Sequence, residues 1–418
     1  MLRALLPLLL AIMPVAIMTG PDLPSTIYYL ILAASLGLLV QHRFAGAGEL
    51  TRQYRWVITA MGAPLAVVLL AAPFHGFVAS ADLETALRFF LGVWVVVLAL
   101  SYVPTKIVWQ VTWGFLLAAV AAAAFVFYLT WPDFQRPNTG AVYNAVGYGN
   151  LTVLLTVLVV FSLKWTITPW PRAERVLKLV VAALGLTAFV LTQTRSGWVA
   201  VPAFALIAAV LFTARPHPVR IVIASMALLA VMATVFISND ALRGRAIDGY
   251  NEAIACHGEQ STANTSICIR LQLWRASIDM MAQNPLTGIG SKRFFGHQLQ
   301  EDSLPKGIVS ELVAEGWGEP HNDVMLALAS FGIPGGVALL LVYLVPAWTF
   351  ARRMSFENCA AVRTAAAMGL AVCLGFLIFG IAETMFRGMR TASFYALCIG
   401  VLLALSNPQK EIKAGSAL

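Results

Sequence analysis

A histidine and a small set of arginines are the residues of this sequence whose types and spacing could do chemistry. His321 and Asn322 end a long polar segment and directly precede an apolar stretch that begins at Asp323. The Asp323 carboxylate can cap the helix predicted here, because it can accept an orphan amide of the first turn. The positive end of that helix would favour neutral imidazole, the form that accepts a proton. His321 is therefore a candidate general base, and a plain loop residue beside two capping residues is the alternative.

Arg195 lies in a tight hairpin, TQTRSGW (192–198), between two apolar segments. No Asp or Glu occurs from Arg175 to Asn239, so the neighbouring chain offers Arg195 no acidic partner. A cation at a membrane boundary without a nearby counter-ion indicates an anionic ligand or a distant carboxylate. The alternative is an arginine that extends its charged end from a helix terminus into water.

Two arginines of one predicted helix differ in their neighbours. Arg270 precedes Trp274 by four residues, so the two side chains can stack on one helical face. Asp279 follows Arg275 by four residues, a spacing that predicts an ordinary ion pair. We therefore expect Arg270 to bind a ligand and Arg275 to be structural.

Arg136 lies in the Gly-rich segment QRPNTGAVYNAVGYGN (135–150), which suits close approach of the backbone to a ligand. An ion pair with Asp133 is the alternative. Guanidinium suits phosphate because its rigid fork makes two charge-assisted bonds and keeps its charge. Arg136, Arg195 and Arg270, together with one histidine, therefore predict a phosphorylated or diphosphate substrate presented from the membrane.

A metal site is the rival interpretation of the polar residues. Asp82 and Glu84 offer oxygen ligands for a divalent cation, but an acidic pair at a helix N-terminus explains them equally well. His257 and His297 have no Cys or His at zinc spacing around them. We therefore expect neither a metal nor any other cofactor.

The composition limits the class of protein. The 418 residues are 59% apolar and 11% charged, with a mean hydropathy of +0.79. Soluble domains are roughly 45–50% apolar and about 25% charged, so these values indicate a polytopic membrane protein. The net charge of +8 comes from short clusters between apolar segments, so nucleic acid is not expected as a partner.

Membrane helices are the elements that must position the candidate residues. Since a span needs about 20 mostly apolar residues, we predict an all-α, polytopic integral membrane protein with about 12 transmembrane helices and one long periplasmic loop carrying surface helices. The stretch 5–18 also resembles a signal peptide, but another span follows it at once. The candidate spans are 4–20, 24–40, 56–72, 86–103, 107–131, 147–163, 176–194, 197–213, 221–237, 323–350, 364–382 and 392–406.

The short loops predict the orientation, because most of their lysines and arginines lie on one side, which is then cytoplasmic. Both termini share that side, and His321 faces outward. The predicted organisation is transmembrane helices 1–9 over 1–237, an outer helical region over 238–322, and the last three helices with a cytoplasmic tail over 323–418.

The outer region has its own pattern. Residues 269–282 predict a helix along the membrane surface, with an apolar face of Leu271, Trp274, Ile278 and Met281. The segment NPLTGIG (284–290) predicts a turn, and GIPGG (332–336) predicts a break in the tenth span. Cys256 and Cys268 would form a structural disulfide in an oxidising compartment.

Three stretches of the sequence resemble the bacterial O-antigen ligases, within the superfamily of O-antigen ligases and polymerases. LTQTRSGWVAV (191–201) resembles the family's threonine-arginine-glycine hairpin. RLQLWRASIDMMAQNPLTGIGSKRF (270–294) resembles its arginine-tryptophan helix and the turn after it. PHNDVMLALASFGIPGG (320–336) resembles its His-Asn block. The catalytic residues that the resemblance implies are Arg195, Arg270 and His321; we take Arg136, a looser match, and Asn322 as substrate-binding.

The resemblance also implies an activity. Such ligases move an O-antigen glycan from undecaprenyl diphosphate to a sugar hydroxyl of the lipid A core, on the periplasmic face of the inner membrane, without ATP or a required metal. His321 would deprotonate the acceptor, and the arginines would stabilise the diphosphate leaving group, in a single displacement with inversion. An O-antigen polymerase with the same donor and a transporter of lipid-linked glycan are the alternatives.

Overall fold

The structure is a computed structural model that describes residues 1–20, 22–134, 145–213, 240–256 and 261–408, with the single positions 137, 223, 226 and 234. Within these ranges the regular structure is entirely helical. The helices are α1 (Leu2–Thr19), α2 (Leu23–Gln41), α3 (Ala47–Gln53), α4 (Arg55–His75), α5 (Ser80–Leu100), α6 (Thr105–Trp109), α7 (Thr112–Thr130), α8 (Ala145–Phe161), α9 (Pro171–Leu191), α10 (Arg195–Phe212), α11 (Asp240–Ala255), α12 (Ser266–Gln283), α13 (Phe295–Gln298), α14 (Glu311–Gly316), α15 (Asp323–Arg353), α16 (Ala360–Ala382) and α17 (Met389–Leu405).

The predicted all-α membrane fold is confirmed. In the described part of the chain, nine helical segments are long and apolar enough to cross a membrane, and α17 is apolar but shorter. Helix α9 has 21 residues but carries charged side chains in its first turns, and it is not among the nine. The predicted span 221–237 lies outside the described residues except at three positions.

Buried aromatic rings attach the loop between α16 and α17 to the helix bundle. The ring of Phe386, in this loop, lies 5.3 Å from that of Tyr343, 5.4 Å from that of Phe376 and 5.2 Å from that of Tyr395, between centroids. All four side chains are almost fully buried. Burying one such ring stabilises a fold by roughly 1.5–3 kcal/mol, so Phe386 holds the loop between α16 and α17 on the bundle.

The segment 261–322 forms a small hydrophobic core together with the start of α15. Leu273, Ala276 and Met280 of α12 pack there with residues of α13, α14 and the start of α15. The prediction of the α12 helix is confirmed; Ile278 of its predicted membrane-facing stripe is 48% exposed, and the placement of that stripe on the membrane surface stays a prediction. Sequence periodicity identified an apolar stripe, whereas packing on α15 selected the neighbouring stripe.

Helix α15 is broken near its N-terminal end, where the sequence predicted a break. Phe331 and Gly332 leave helical geometry, and Gly332 has φ of 66°. The amides of Ile289 and Gly290 donate to the Ala329 and Ser330 carbonyls at 2.9 and 2.8 Å, and Ile333 donates to Pro285 at 2.8 Å. Backbone groups freed by a helix break need such partners away from water. The turn after α12 therefore locks α12 and α15 together.

Candidate active site

The hairpin between α9 and α10 presents Arg195 at the first position of α10. The Thr194 hydroxyl donates to the Ala145 carbonyl at 3.1 Å, and the Ser196 hydroxyl donates to Asn150 Oδ1 at 2.8 Å. A Cβ at Gly149 would lie 2.2 Å from the Thr194 hydroxyl oxygen, so only glycine allows this close approach to α8. The hairpin is thus fixed on α8 while the Arg195 side chain is exposed.

Arg195 and Arg270, on α10 and α12, line one cavity of about 540 Å³. Ser196, Ser266 and Ala382 also line it, as do two carboxylates, Asp248 and Glu252. Within the described residues neither arginine has an ion pair or a hydrogen bond, and Glu252 accepts from the Ile267 amide at 3.2 Å. Two guanidinium groups at the wall of one cavity suit an anion such as diphosphate.

Near this cavity, two buried carboxylates approach the same ring nitrogen of His321. Its Nδ1 is 3.2 Å from Glu383 Oε1 and 3.8 Å from Glu319 Oε1. Glu383 directly follows Ala382, which lines the cavity, and the charge of Arg270 acts on the imidazole. His321 has φ of 48°, a left-handed conformation that is uncommon outside glycine and concentrates at functional sites. The structure therefore brings Arg195, Arg270 and His321 into one neighbourhood.

The electrostatics of His321 differ from the expectation based on the helix dipole. The hydrogen bond with Glu383 raises the pKa of His321, and burial and Arg270 oppose that rise. Burial also raises the pKa of Glu319, against the opposing charge of Arg387, whose Nη1 lies 2.8 Å from Glu319 Oε1. The expected lowering of the imidazole pKa was therefore wrong, because a direct carboxylate contact outweighs a partial charge at a helix end.

The cap of α15 is Asn322 and not Asp323. The Asn322 Oδ1 accepts from the Val324 and Met325 amides, and its Nδ2 donates to the Ile381 carbonyl at 3.1 Å. Asn322 is 5% exposed, so its amide is committed to backbone partners. The geometry favours a capping role for Asn322 over the substrate binding predicted for this residue.

Asp323 anchors the loop after α16. Its two oxygens accept from the Met385 and Phe386 amides at 3.1 and 3.0 Å, and the Tyr343 hydroxyl donates to it at 2.8 Å. Three hydrogen-bond donors offset part of the free-energy cost of burying this carboxylate. Asp323 therefore fixes the position of the loop that presents Glu383.

The two arginines of α12 differ in their bonding as expected, but Arg275 has other partners than the predicted Asp279. The Arg275 guanidinium donates to the Ser261 and Cys256 carbonyls at 3.1 and 2.8 Å, so the predicted ion pair with Asp279 was wrong. Asp279 instead pairs with Lys306 at 2.8 Å. The expected stacking of Trp274 on Arg270 is absent from the described contacts, because the indole donates to the Pro320 carbonyl at 3.1 Å. That bond ties α12 to the residue before His321.

The remaining predicted sites fall elsewhere. Cys256 and Cys268 are bonded in the structure, as the sequence suggested, with Cα atoms 5.5 Å apart. Asp82 accepts from Ser291 at 2.6 Å and Glu84 pairs with Arg88 at 2.6 Å, so the two do not share a cation site. Arg136 lies outside the described residues.

One group of possible metal ligands occurs in the described chain, and it is the His321 cluster itself. Donor atoms of Glu319, His321 and Glu383 lie within 4.8 Å of one another. Arg387 pairs with one of these acids and Arg270 lies nearby. Two guanidinium charges oppose a further cation, so the residues present fit a hydrogen-bonded acid–base group better than a metal centre.

Glu319, Glu383 and Arg387 are functional candidates that the sequence does not place beside His321. Glu383 follows His321 by 62 positions, and no local spacing connects them. The available signal was indirect: ionisable residues at the outer ends of otherwise apolar spans.

Comparison with known proteins bears on the same stretch. Residues 180–340 match a family model described as O-antigen ligase, a range that contains Arg195, Arg270 and His321. A Haemophilus influenzae (strain ATCC 51907 / DSM 11121 / KW20 / Rd) protein, named only as an uncharacterized protein, is 22% identical over 235 residues. The matched stretch is 54% of this chain and 55% of the relative, so the chain spans about half the length of the relative it matches. The resemblance to the O-antigen ligase family is confirmed over the matched residues.

Proposed function

We propose that this membrane protein, whose residues 180–340 match the O-antigen ligase family, is an O-antigen ligase. It would transfer O-antigen glycan from undecaprenyl diphosphate to a sugar hydroxyl of the lipid A core. The observation that carries the proposal is the shared cavity of Arg195 and Arg270 beside His321. Guanidinium groups for a diphosphate and an imidazole for a hydroxyl are the two recognition elements that this transfer requires.

The arginines would hold the donor. As the bond from the anomeric carbon to the diphosphate oxygen breaks, negative charge develops on the leaving group. Arg195 and Arg270, positioned before the reaction, would stabilise this charge more strongly in the transition state than in the ground state. Arg136 is a further proposed ligand of the donor.

His321 would act on the acceptor. Its Nε2 would take the proton of the sugar hydroxyl as that oxygen attacks the anomeric carbon from the face opposite the diphosphate. One displacement inverts the anomeric configuration, and no covalent glycosyl-enzyme forms. The two carboxylates near His321 already have other partners: Glu383 is hydrogen-bonded to the imidazole, and Glu319 is paired with Arg387. Neither is therefore proposed as a nucleophile.

An O-antigen polymerase is the second candidate, since it would use the same lipid-linked donor, and the family match at 180–340 contains Arg195 and Arg270, two of the three arginines proposed to bind that donor. Purified protein in vesicles, supplied with lipid-linked glycan, separates the two. Glycan transfer that requires lipid A core supports the ligase. Chain growth without lipid A core would replace this proposal by the polymerase, and substrate exchange across the vesicle without a covalent product would replace it by a transporter.

The proposed location of the reaction is the periplasmic face of the inner membrane, with both termini cytoplasmic. Accessibility tags at Gly48 and Ala173 should then report cytoplasm, and tags within 297–306 should report periplasm. The donor and acceptor would meet on the outer face only in this orientation. A cytoplasmic signal from 297–306 would contradict the whole assignment.

A further inference from the structure

We propose that Glu383 is the positioning residue of His321, holding the proton on Nδ1 and thereby leaving Nε2 to receive the proton of the acceptor. This inference rests on the proposed transfer reaction, but its central contact is a property of the fold. It assigns a role to a residue that lies outside the stretch matched by the family.

The geometry supports a specific contact. Glu383 Oε1 lies 3.2 Å from Nδ1, and the Glu383 side chain is only 7% exposed. An ionised carboxylate only accepts hydrogen bonds, so it requires the proton on Nδ1. Nε2 has no hydrogen bond among the described residues, and the imidazole is 23% exposed. A base oriented by a third group in this way is the general arrangement of activated proton acceptors.

The backbone holds Glu383 in place independently of His321. The Glu383 amide donates to the Phe379 carbonyl at 2.9 Å and ends α16. Two and three residues later, the amides of Met385 and Phe386 donate to buried Asp323. Because Asp323 follows His321 by two positions, the same carboxylate ties both partners of the contact together.

The charges around His321 give its two acidic neighbours different tasks. Arg387 pairs with Glu319 at 2.8 Å, so much of that charge is already compensated. Glu383 is closer to the imidazole than Glu319, at 3.2 against 3.8 Å. Arg270 opposes protonation from α12. Glu383 is therefore the main counter-charge for the imidazolium that forms.

The step balances within the proposed reaction. The acceptor oxygen forms its bond to the anomeric carbon while its proton moves to Nε2. The bond from that carbon to the diphosphate oxygen breaks, and its electron pair leaves with the diphosphate. His321 is then an imidazolium beside Glu383. The imidazolium releases its Nε2 proton to solvent before the next turnover.

Glu383→Gln tests the assignment because it keeps the shape and removes the charge. An amide can accept from or donate to Nδ1, so the tautomer is no longer determined. We expect turnover to fall on the order of 10²-fold or more, within the range that general-base catalysis contributes, with donor binding unchanged. Loss of the carboxylate lowers the pKa of His321, so the acidic limb of the rate profile moves to lower pH. Glu383→Asp should restore part of the turnover and return the limb toward the wild-type position.

A second measurement needs no turnover. Diethyl pyrocarbonate modifies neutral imidazole, and mass spectrometry reads modification of His321 at each pH. The midpoint for His321 should lie above about 6.5, the ordinary imidazole value, and should fall in Glu383→Gln. Glu319→Gln should move it less. Glu301→Gln is the matched control, since Glu301 faces exposed His297 at 3.8 Å and does not contact His321.

Each outcome decides the assignment. An unchanged midpoint and an unchanged acidic limb in Glu383→Gln would refute positioning by Glu383. Equal defects in Glu383→Gln and Glu383→Asp, with lost donor binding, would reduce Glu383 to a structural role. If the wild type transfers no glycan while Glu383→Gln still lowers the His321 midpoint, the contact stands and the ligase proposal falls. If Glu383→Gln does not fold, a wild-type midpoint at or below about 6.5 is sufficient to refute the contact.

Discussion

The two ends of α9 hold cations in opposite ways. Near its start, Lys178 is 3% exposed and is fully bonded: its Nζ lies 2.7 Å from Glu174 and 2.9 Å from the Ser162 and Trp165 carbonyls. Just beyond its other end, Arg195 is exposed at a cavity and, among the described residues, has no bonding partner. A buried cation with complete bonding has no donor left for a ligand, whereas a cation without a bonding partner beside a cavity is available to one.

The same contrast recurs within α12. The Arg275 guanidinium donates to two carbonyls of the disulfide-closed loop, whereas Arg270, five positions earlier, lines the cavity and has no bonding partner among the described residues. Charge alone therefore does not identify a binding residue. What identifies a binding residue is whether its hydrogen-bond donors are already occupied, because a ligand must displace existing partners before it can form its own hydrogen bonds.

The largest expected effect is at His321, where Nε2 would accept the proton of the acceptor hydroxyl. His321→Ala should insert and bind donor normally yet lose transfer by roughly 10²–10⁴-fold. Because the Glu383 contact raises the imidazole pKa, wild-type activity should fall as pH decreases through a pKa above the ordinary value of about 6.5. Donor binding compared with turnover is the measurement; if both collapse together, His321 binds phosphate or supports the fold.

The next largest effects are expected at Arg195 and Arg270, the two cavity arginines. Arg195→Lys and Arg270→Lys should each lose most transfer activity, because lysine keeps the charge but not the two-pronged geometry. Arg275→Lys is the matched control on the same helix and should keep most activity with some loss of stability. Equal tolerance at all three positions would mean that the unpaired guanidinium groups do not bind the diphosphate.

The bonded end of α9 should respond in stability and not in chemistry. Lys178→Met leaves Glu174 buried without its counter-charge, a change that costs about 3 kcal/mol or more in comparable pairs. Turnover per folded molecule should be unchanged. Thermal unfolding in detergent measures the stability, and activity per titrated active site measures the turnover. A lowered turnover with normal stability would contradict a purely structural role for Lys178.

The disulfide should give a similar stability effect at the outer loop. Closing a loop with a sequence separation of 12 residues contributes on the order of 3 kcal/mol in the chain-entropy model. Replacing both Cys256 and Cys268 by Ser should lower the unfolding temperature. In the wild type, both cysteines should resist alkylation until the disulfide is reduced. Free thiols at both positions in protein from an oxidising compartment would contradict this.

The smallest effect concerns stability against pH. Since the folded state raises the pKa of His321, the contact with Glu383 stabilises the fold fully below the unfolded-state pKa of about 6.5. That contribution is lost as pH rises through the folded-state pKa. Glu383→Gln should flatten this part of the unfolding profile, and an unaltered profile would show that the contact has no energetic weight.

The sequence by itself determined the class of molecule and the identity of its main candidates. Long apolar runs can satisfy their backbone in a membrane only as helices, so the spans were readable from composition and length. Arg195 could be selected because the chain around it contains no acid. His321 could be selected because it adjoins the start of a span.

The tertiary structure alone decided the partners. It placed Glu383 against His321, gave Arg275 backbone carbonyls in place of Asp279, and made Asn322 the cap while Asp323 became a buried anchor. Periodicity and spacing describe neighbours within one turn of helix. Contacts between segments far apart in the chain depend on how the helices pack, and the strength of a charge depends on the burial and bonding that this packing creates.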